Sequence, residues 1–112
     1  LAHLDLSWNK IGAEGAESLA AVLGECKALV YLDISKNGIG QEAAGRLVEV
    51  LRECKLLAYL DLSKNEIERG AGRLVEALGE CKSLTHLNLS MNRIGPEGAG
   101  RLAGALREWR SL

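Results

Sequence analysis

Leu84-Thr85-His86-Leu87-Asn88-Leu89-Ser90-Met91-Asn92-Arg93-Ile94-Gly95 restates the frame of Leu1-Ala2-His3-Leu4-Asp5-Leu6-Ser7-Trp8-Asn9-Lys10-Ile11-Gly12, and further copies begin at Leu29 and Leu57. The chain divides into units 1–28, 29–56, 57–83 and 84–111, with periods of 28, 28, 27 and 28 residues, and Leu112 opens what would be the next. A period of this length marks a solenoid, in which each unit is one supersecondary structure that cannot bury its own apolar face alone. Working outward from each opening leucine, the pairs Leu4 and Leu6, Leu32 and Ile34, Leu60 and Leu62, and Leu87 and Leu89 lie two apart. That is strand periodicity, with these residues inward and their neighbours outward. Asn9, Asn37, Asn65 and Asn92 follow, and then Ile11, Ile39, Ile67 and Ile94 return to the core. An asparagine held at one stacking position can satisfy backbone donors and acceptors in the bend of the adjacent unit, so these four are assigned a structural role.

The second half of each unit changes period. Ala16, Leu19, Ala20 and Leu23 make one helical stripe, matched by Ala44, Leu47, Val48 and Leu51, by Ala71, Leu74, Val75 and Leu78, and by Ala99, Leu102, Ala103 and Leu106. Small residues at the helix starts, such as Gly15, Ala16, Ala43 and Ala44, predict close approach of adjacent helices. Pro96 stands at a helix start, where its missing N–H does least harm. Unit three lacks one residue between Ile67 and Ala71, which predicts a tighter turn into its helix and unchanged strand stacking. Ser18, Arg46, Arg73 and Arg101 form an outward column, with Glu49 and Glu76 placed to pair with the middle two arginines at three-residue spacing.

The outward strand residues align from unit to unit as ladders. One is His3, Tyr31, Tyr59 and His86; beside it run Asp5, Asp33, Asp61 and Asn88, and then Ser7, Ser35, Ser63 and Ser90. Trp8, Lys36, Lys64 and Met91 stand near the strand ends. Tyrosine and tryptophan offer large contact areas at low entropic cost, so Tyr31, Tyr59 and Trp8 are the expected anchors of a binding surface. Asp33, Asp61, Lys36, Lys64, His3, His86 and Met91 complete the candidate partner-binding set. The aspartates and serines have an alternative use in local backbone bonding.

The string Leu-x-x-Leu-Asp-Leu-Ser-x-Asn-x-Ile-Gly-x-Glu-Gly-Ala, nearly whole at Leu1 to Ala16 and at Leu84 to Ala99, resembles the ribonuclease-inhibitor-like class of leucine-rich repeats. The near-uniform repeat is most similar to those of nucleotide-binding leucine-rich-repeat receptors, because ribonuclease inhibitor alternates two repeat types. The resemblance implies an α/β solenoid, a horseshoe arc with parallel strands on the concave face and helices on the convex face. It also implies that a protein ligand is held on the concave face.

Composition bounds the alternatives. The 112 residues are 47% hydrophobic and 26% charged with net charge -1, which fits one soluble domain and neither a basic nucleic-acid binder nor a membrane protein. Cys26, Cys54 and Cys81 recur once per unit, with Trp109 in the equivalent place of unit four. The spacing marks buried structural positions, a reducing and hence cytoplasmic setting, and no zinc pair. The serines and aspartates repeat in register and no glycine-rich phosphate loop occurs, so neither a catalytic constellation nor a cofactor is expected. The reading predicts a non-enzymatic protein-interaction module, a segment of a longer solenoid whose uncapped ends at Leu1 and Leu112 favour self-association. The competing reading is a structural or engineered repeat segment with no dedicated ligand.

Overall fold

A computed structural model describes residues 2–79 and 81–106, with backbone alone at 69, 105 and 106. The expectations that fall on Leu1, Trp109 and Leu112, and on the Leu106 side chain, lie outside the described residues. Each unit becomes one short strand and one helix: β1 His3–Asp5, α1 Gly12–Leu23, β2 Tyr31–Asp33, α2 Gln41–Leu51, β3 Tyr59–Asp61, α3 Ala71–Leu78, β4 His86–Asn88 and α4 Gly95–Leu106. The strands form one parallel sheet in the order β1-β2-β3-β4. Leu4, Leu32, Leu60 and Leu87 stand in a single row. Strands stack about 4.8 Å apart whereas packed helices need 8–10 Å, so the helical layer takes the longer, outer path and the sheet becomes the concave side.

The core lies between the layers. Leu29, Leu32, Ile34, Ile39, Leu47, Leu51, Leu57, Leu60, Leu62, Ile67 and Leu78 are fully buried, and all belong to the two central units or their boundaries. The end units are less complete. Leu19 and Ala20 are half-buried, Leu102 is half-buried, and Ala99 and Ala103 are exposed, against the expectation of four equal stripes. Among the described residues, α1 and α4 each have a neighbouring helix on one side only, so part of each stripe stays uncovered.

The asparagines tie the bends together. Asn65 Oδ1 accepts from the Asn37 N–H at 2.9 Å and the Ile39 N–H at 3.0 Å, and Asn37 Oδ1 does the same for Asn9 at 2.8 Å and Ile11 at 3.2 Å. Asn92 Oδ1 takes the Asn65 and Ile67 N–H groups at 3.1 and 3.3 Å. Their amide groups donate back to the preceding unit, Asn37 to Leu6 O, Asn65 to Ile34 O and Asn92 to Leu62 O. Asn9 differs: its amide reaches only Leu6 O and Ser7 O of its own unit, and it is exposed.

The short third unit enters its helix through a 3-10 turn, Glu68–Gly70, while the β3–β4 register continues unbroken. Ala16, Ala43 and Ala44 are buried as expected of small residues at a close approach, but Gly15 is not such a point: a Cβ there would meet only Ile11 of its own unit, whereas a Cβ on Gly72 would lie 2.5 Å from the Arg101 Cβ and 3.0 Å from the Arg101 carbonyl carbon. A chain one residue shorter draws α3 against α4, and a groove of about 760 Å³ lies on the other side, between α2 and α3. The predicted Arg46–Glu49 and Arg73–Glu76 pairs do not form. Arg46 reaches across to Glu17 on α1, Glu49 pairs with Arg52 at 3.1 Å, and Arg101 with Glu97 at 3.8 Å.

The cysteine slot has a capping role. Cys54 Sγ lies 3.4 Å from the Leu23 carbonyl and Cys81 Sγ 3.6 Å from the Leu51 carbonyl, the last residues of α1 and α2. Each thiol thus adds a weak bond to a carbonyl at the end of the previous unit's helix, which already accepts the Cys26 or Cys54 N–H at 2.9 Å. Cys26 is a correction to the expected burial: it is half-buried and turns to Val22 O of its own helix, and among the described residues no earlier helix end lies beside it. Burial pushes the Cys54 thiol above its ordinary pKa, with Cys26 adding to the shift. In the native state a maleimide should therefore modify Cys26 first, and Cys54 and Cys81 only at the rate of opening, all three reacting together in denaturant. Equal native rates at all three, read by mass spectrometry, would contradict this burial pattern.

Candidate partner-binding face

The outward ladders sit in register on the sheet. His3 pairs with Tyr31, Tyr31 with Tyr59 and Tyr59 with His86, and Asp5, Asp33, Asp61 and Asn88 follow the same register. The aromatic ladder is a packed column. His3 stacks on Tyr31 with centroids 3.9 Å apart and planes 5° from parallel; Tyr31 stacks on Tyr59 at 4.4 Å and 7°. His86 closes the column at 6.1 Å, tilted by 31°.

This changes what the tyrosines offer. A side chain read from sequence as a free contact surface has its faces covered by its neighbours, and presents ring edge and hydroxyl instead. Stacking also fixes the rotamers in advance, which lowers the entropy lost when a partner arrives. Partial burial, then the adjacent Tyr59 and Asp33, hold the Tyr31 hydroxyl above its ordinary pKa. It therefore remains a neutral donor and acceptor at neutral pH.

The acidic ladder is committed locally. One carboxylate oxygen each of Asp5, Asp33 and Asp61 accepts the N–H of Ser7, Ser35 and Ser63 at 2.9 to 3.0 Å, and Asn88 does the same for Ser90. The Ser7 N–H, chiefly, and its hydroxyl hold the Asp5 carboxyl below the usual range, with His3 assisting. The periodic Asp-x-Ser is thus a turn device that ends each strand, and Asp61 is buried to 9% exposure. The second oxygen of Asp33 and of Asp61 has no hydrogen bond among the described residues.

At the strand ends Trp8, Lys36, Lys64 and Met91 all adopt positive φ, 63°, 52°, 55° and 56°. The Lys36 ammonium lies 3.3 Å over the Trp8 ring centroid and that of Lys64 5.8 Å from it. Trp8 is 63% and Met91 71% exposed. Sequence spacing gave no signal of the left-handed backbone or of the cation–π contact, because both depend on the bend that the asparagines impose.

The arrangement is unlike a hydrolytic site. His86 Nδ1 meets the Thr85 hydroxyl at 3.0 Å on an exposed edge, and the Ser90 hydroxyl is turned to Asn88. Among the described residues no group of three His, Cys, Asp or Glu side chains is placed to hold a metal ion. Among the described residues no helix is long and apolar enough to cross a membrane.

Solved structures share this architecture. The actin-binding site 2 (ABS2) of leiomodin-1 matches with a TM-score of 0.88 at 19% identity, over 99% of this chain and 66% of that one. The tropomodulin C-terminal domain of Caenorhabditis elegans matches with a TM-score of 0.87 at 19% identity, over 100% of this chain and 70% of that one. The chain thus spans about two thirds of the leiomodin structure's length, and at this identity the likeness is one of fold. No curated protein sequence matches it. The family profile described as Leucine Rich repeat matches residues 1–20, 25–48 and 80–103, more than half of the chain, and with four strand–helix units stacked in register the chain belongs to the leucine-rich repeat family.

Proposed function

We propose that the chain is a non-enzymatic docking module that holds a protein partner on its concave sheet face, with Tyr31 and Tyr59 as the central anchors. The observation that carries this reading is the aromatic column: four rings in register across four strands, exposed along one edge and already ordered. Large preordered amphipathic side chains at the centre of a face are what interface anchors consist of. The leiomodin domain, designated an actin-binding site, supports the reading that an arc of this shape serves as a protein-docking surface. The near-uniform repeat favours the ribonuclease-inhibitor-like class, and within it the receptor-type repeats. The 112 residues are read as one stretch of a longer cytoplasmic solenoid, a reading supported by one cysteine per repeat held as a structural position.

Four strands at about 4.8 Å spacing make a strip only about 14 Å wide, small beside the roughly 800 Å² per partner of a standard interface. Affinity must then rest on few anchors. Replacing Tyr31 and Tyr59 together by Ala should lower affinity for the isolated partner at least tenfold, about 1.4 kcal/mol. Because stacked rings contribute about 0.5–1.5 kcal/mol per pair beyond burial, the same double variant should also lose some stability. The companion Tyr31→Phe, Tyr59→Phe keeps the stack, should melt like the parent, and isolates the hydroxyl contribution. Unchanged affinity in the folded alanine variant would remove the site from this face.

A further inference from the structure

We propose that the strip of Trp8, Lys36, Lys64 and Met91 along the rim of the sheet takes an acidic, extended segment of the protein partner. Carboxylates of that segment lie on the two ammonium groups, and its apolar side chains on Trp8 and Met91. The proposal rests on the docking reading above and names the chemistry that one edge of that face selects.

Three observations carry it. The first is the pairing of charge. Trp8 gathers two ammonium groups beside one ring, at 3.3 and 5.8 Å from its centroid. Two like charges drawn together repel, and an anion placed between them relieves that repulsion. Neither lysine has a carboxylate within ion-pair distance among the described residues. At the next outward position stand Lys10, Glu66 and Arg93, two positive groups to one negative.

The second is exposure. Trp8 and Met91, two of the large exposed apolar side chains among the described residues, flank the lysines at the two ends of the same row. The third is the backbone. A side chain at positive φ is disfavoured relative to the right-handed region, and glycine escapes that cost. Positive φ also falls on Gly12, Gly38 and Gly95 and on Lys10, Glu68 and Arg93, but this row carries a large side chain at positive φ in all four units. Their backbone N–H groups at 8, 36 and 64 bond to the serine carbonyl of the next unit, which fixes the turn and aims the side chains outward. A strip about 14 Å long is spanned by four or five extended residues at about 3.3 Å each.

The test is a nuclear magnetic resonance titration of the full 112-residue chain with a capped hexapeptide, Leu-Glu-Asp-Glu-Asp-Leu, and with its lysine counterpart, Leu-Lys-Lys-Lys-Lys-Leu. The acidic peptide should shift the Trp8 indole N–H, the Met91 methyl and the Lys36 and Lys64 amides. Its affinity should fall with added salt and drop at least tenfold in Lys36→Gln, Lys64→Gln, while the basic peptide leaves these signals in place. The glutamine variant keeps chain length and shape, and its amide spectrum reports whether it is folded. No binding of the acidic peptide, equal binding by the folded glutamine variant, or inorganic phosphate producing the same shifts with equal affinity would each overturn the proposal. Loss of the peptide site with Tyr-dependent partner binding intact would remove this strip alone; loss of Tyr-dependent partner binding with the peptide site intact would remove the docking reading of the column.

Discussion

Asn65→Ala should lose about 4 kcal/mol of stability, while Asn9→Ala loses less than about 1 kcal/mol, though both delete the same residue of the same repeat. Asn65 is buried and serves three segments. Its oxygen holds the Asn37 and Ile39 N–H groups, and its amide reaches Ile34 O, Leu62 O and Ser63 O. Alanine leaves two buried N–H donors without an acceptor, each costing about 1–3 kcal/mol, and the freed carbonyls add to that. A domain of this kind is stable by about 5–15 kcal/mol, so the variant approaches unfolding at body temperature. Asn9 bonds only Leu6 O and Ser7 O at an exposed bend, where water replaces the amide. Urea unfolding of the two variants beside the parent measures the contrast. Equal losses would mean that the asparagines act as local turn formers and do not join the units.

Gly72→Ala should destabilise and Gly45→Ala should stabilise, although the two glycines occupy the same position of consecutive repeats. A Cβ on Gly72 would stand 2.5 Å from the Arg101 Cβ, 3.0 Å from the Arg101 carbonyl carbon and 3.2 Å from the Leu102 nitrogen. Backbone atoms cannot swing aside, so α3 and α4 must part. Overpacking of this kind costs about 1–3 kcal/mol, more than the gain of roughly 1 kcal/mol in helix propensity. Nothing lies within 4 Å of a Cβ on Gly45, so there alanine collects the propensity gain alone. Both variants collect the same propensity gain, so they should differ by the overpacking cost, about 1–3 kcal/mol, which corresponds to melting temperatures roughly 5–15 °C apart. Melting temperatures within a degree or two of each other would show that α3 does not lean on α4.

The period, the inward leucines and the register of the ladders were legible because a solenoid repeats its own constraints, and a residue type that returns every 28 residues meets the same surroundings each time. Legibility failed where units stop being equivalent. The exposed Ala99, the half-buried Cys26 and the locally bonded Asn9 belong to the outer units, and their burial depends on a neighbour that periodicity cannot supply. The missing residue of unit three announced a tight turn, but which helix α3 would approach depended on three-dimensional packing. On the candidate face, Tyr31 and Tyr59 were readable as outward. Their mutual stacking was not, because it is set by side-chain torsions that spacing leaves open. The second role of the aspartates, bonding the serine two residues on, was readable as a choice between partner and backbone, and the structure adds the bond itself.

The docking reading is tested most directly by site-specific photo-cross-linking. A benzophenone side chain is placed at His86, on the exposed end of the aromatic column, and separately at Glu49, on the exposed side of α2. Each labelled chain is irradiated with its purified partner, and the covalent adduct is mapped by mass spectrometry. An adduct from His86 and none from Glu49 is the result expected of a partner held on the sheet face. An adduct from Glu49 alone would place the partner over the α2–α3 groove and contradict it.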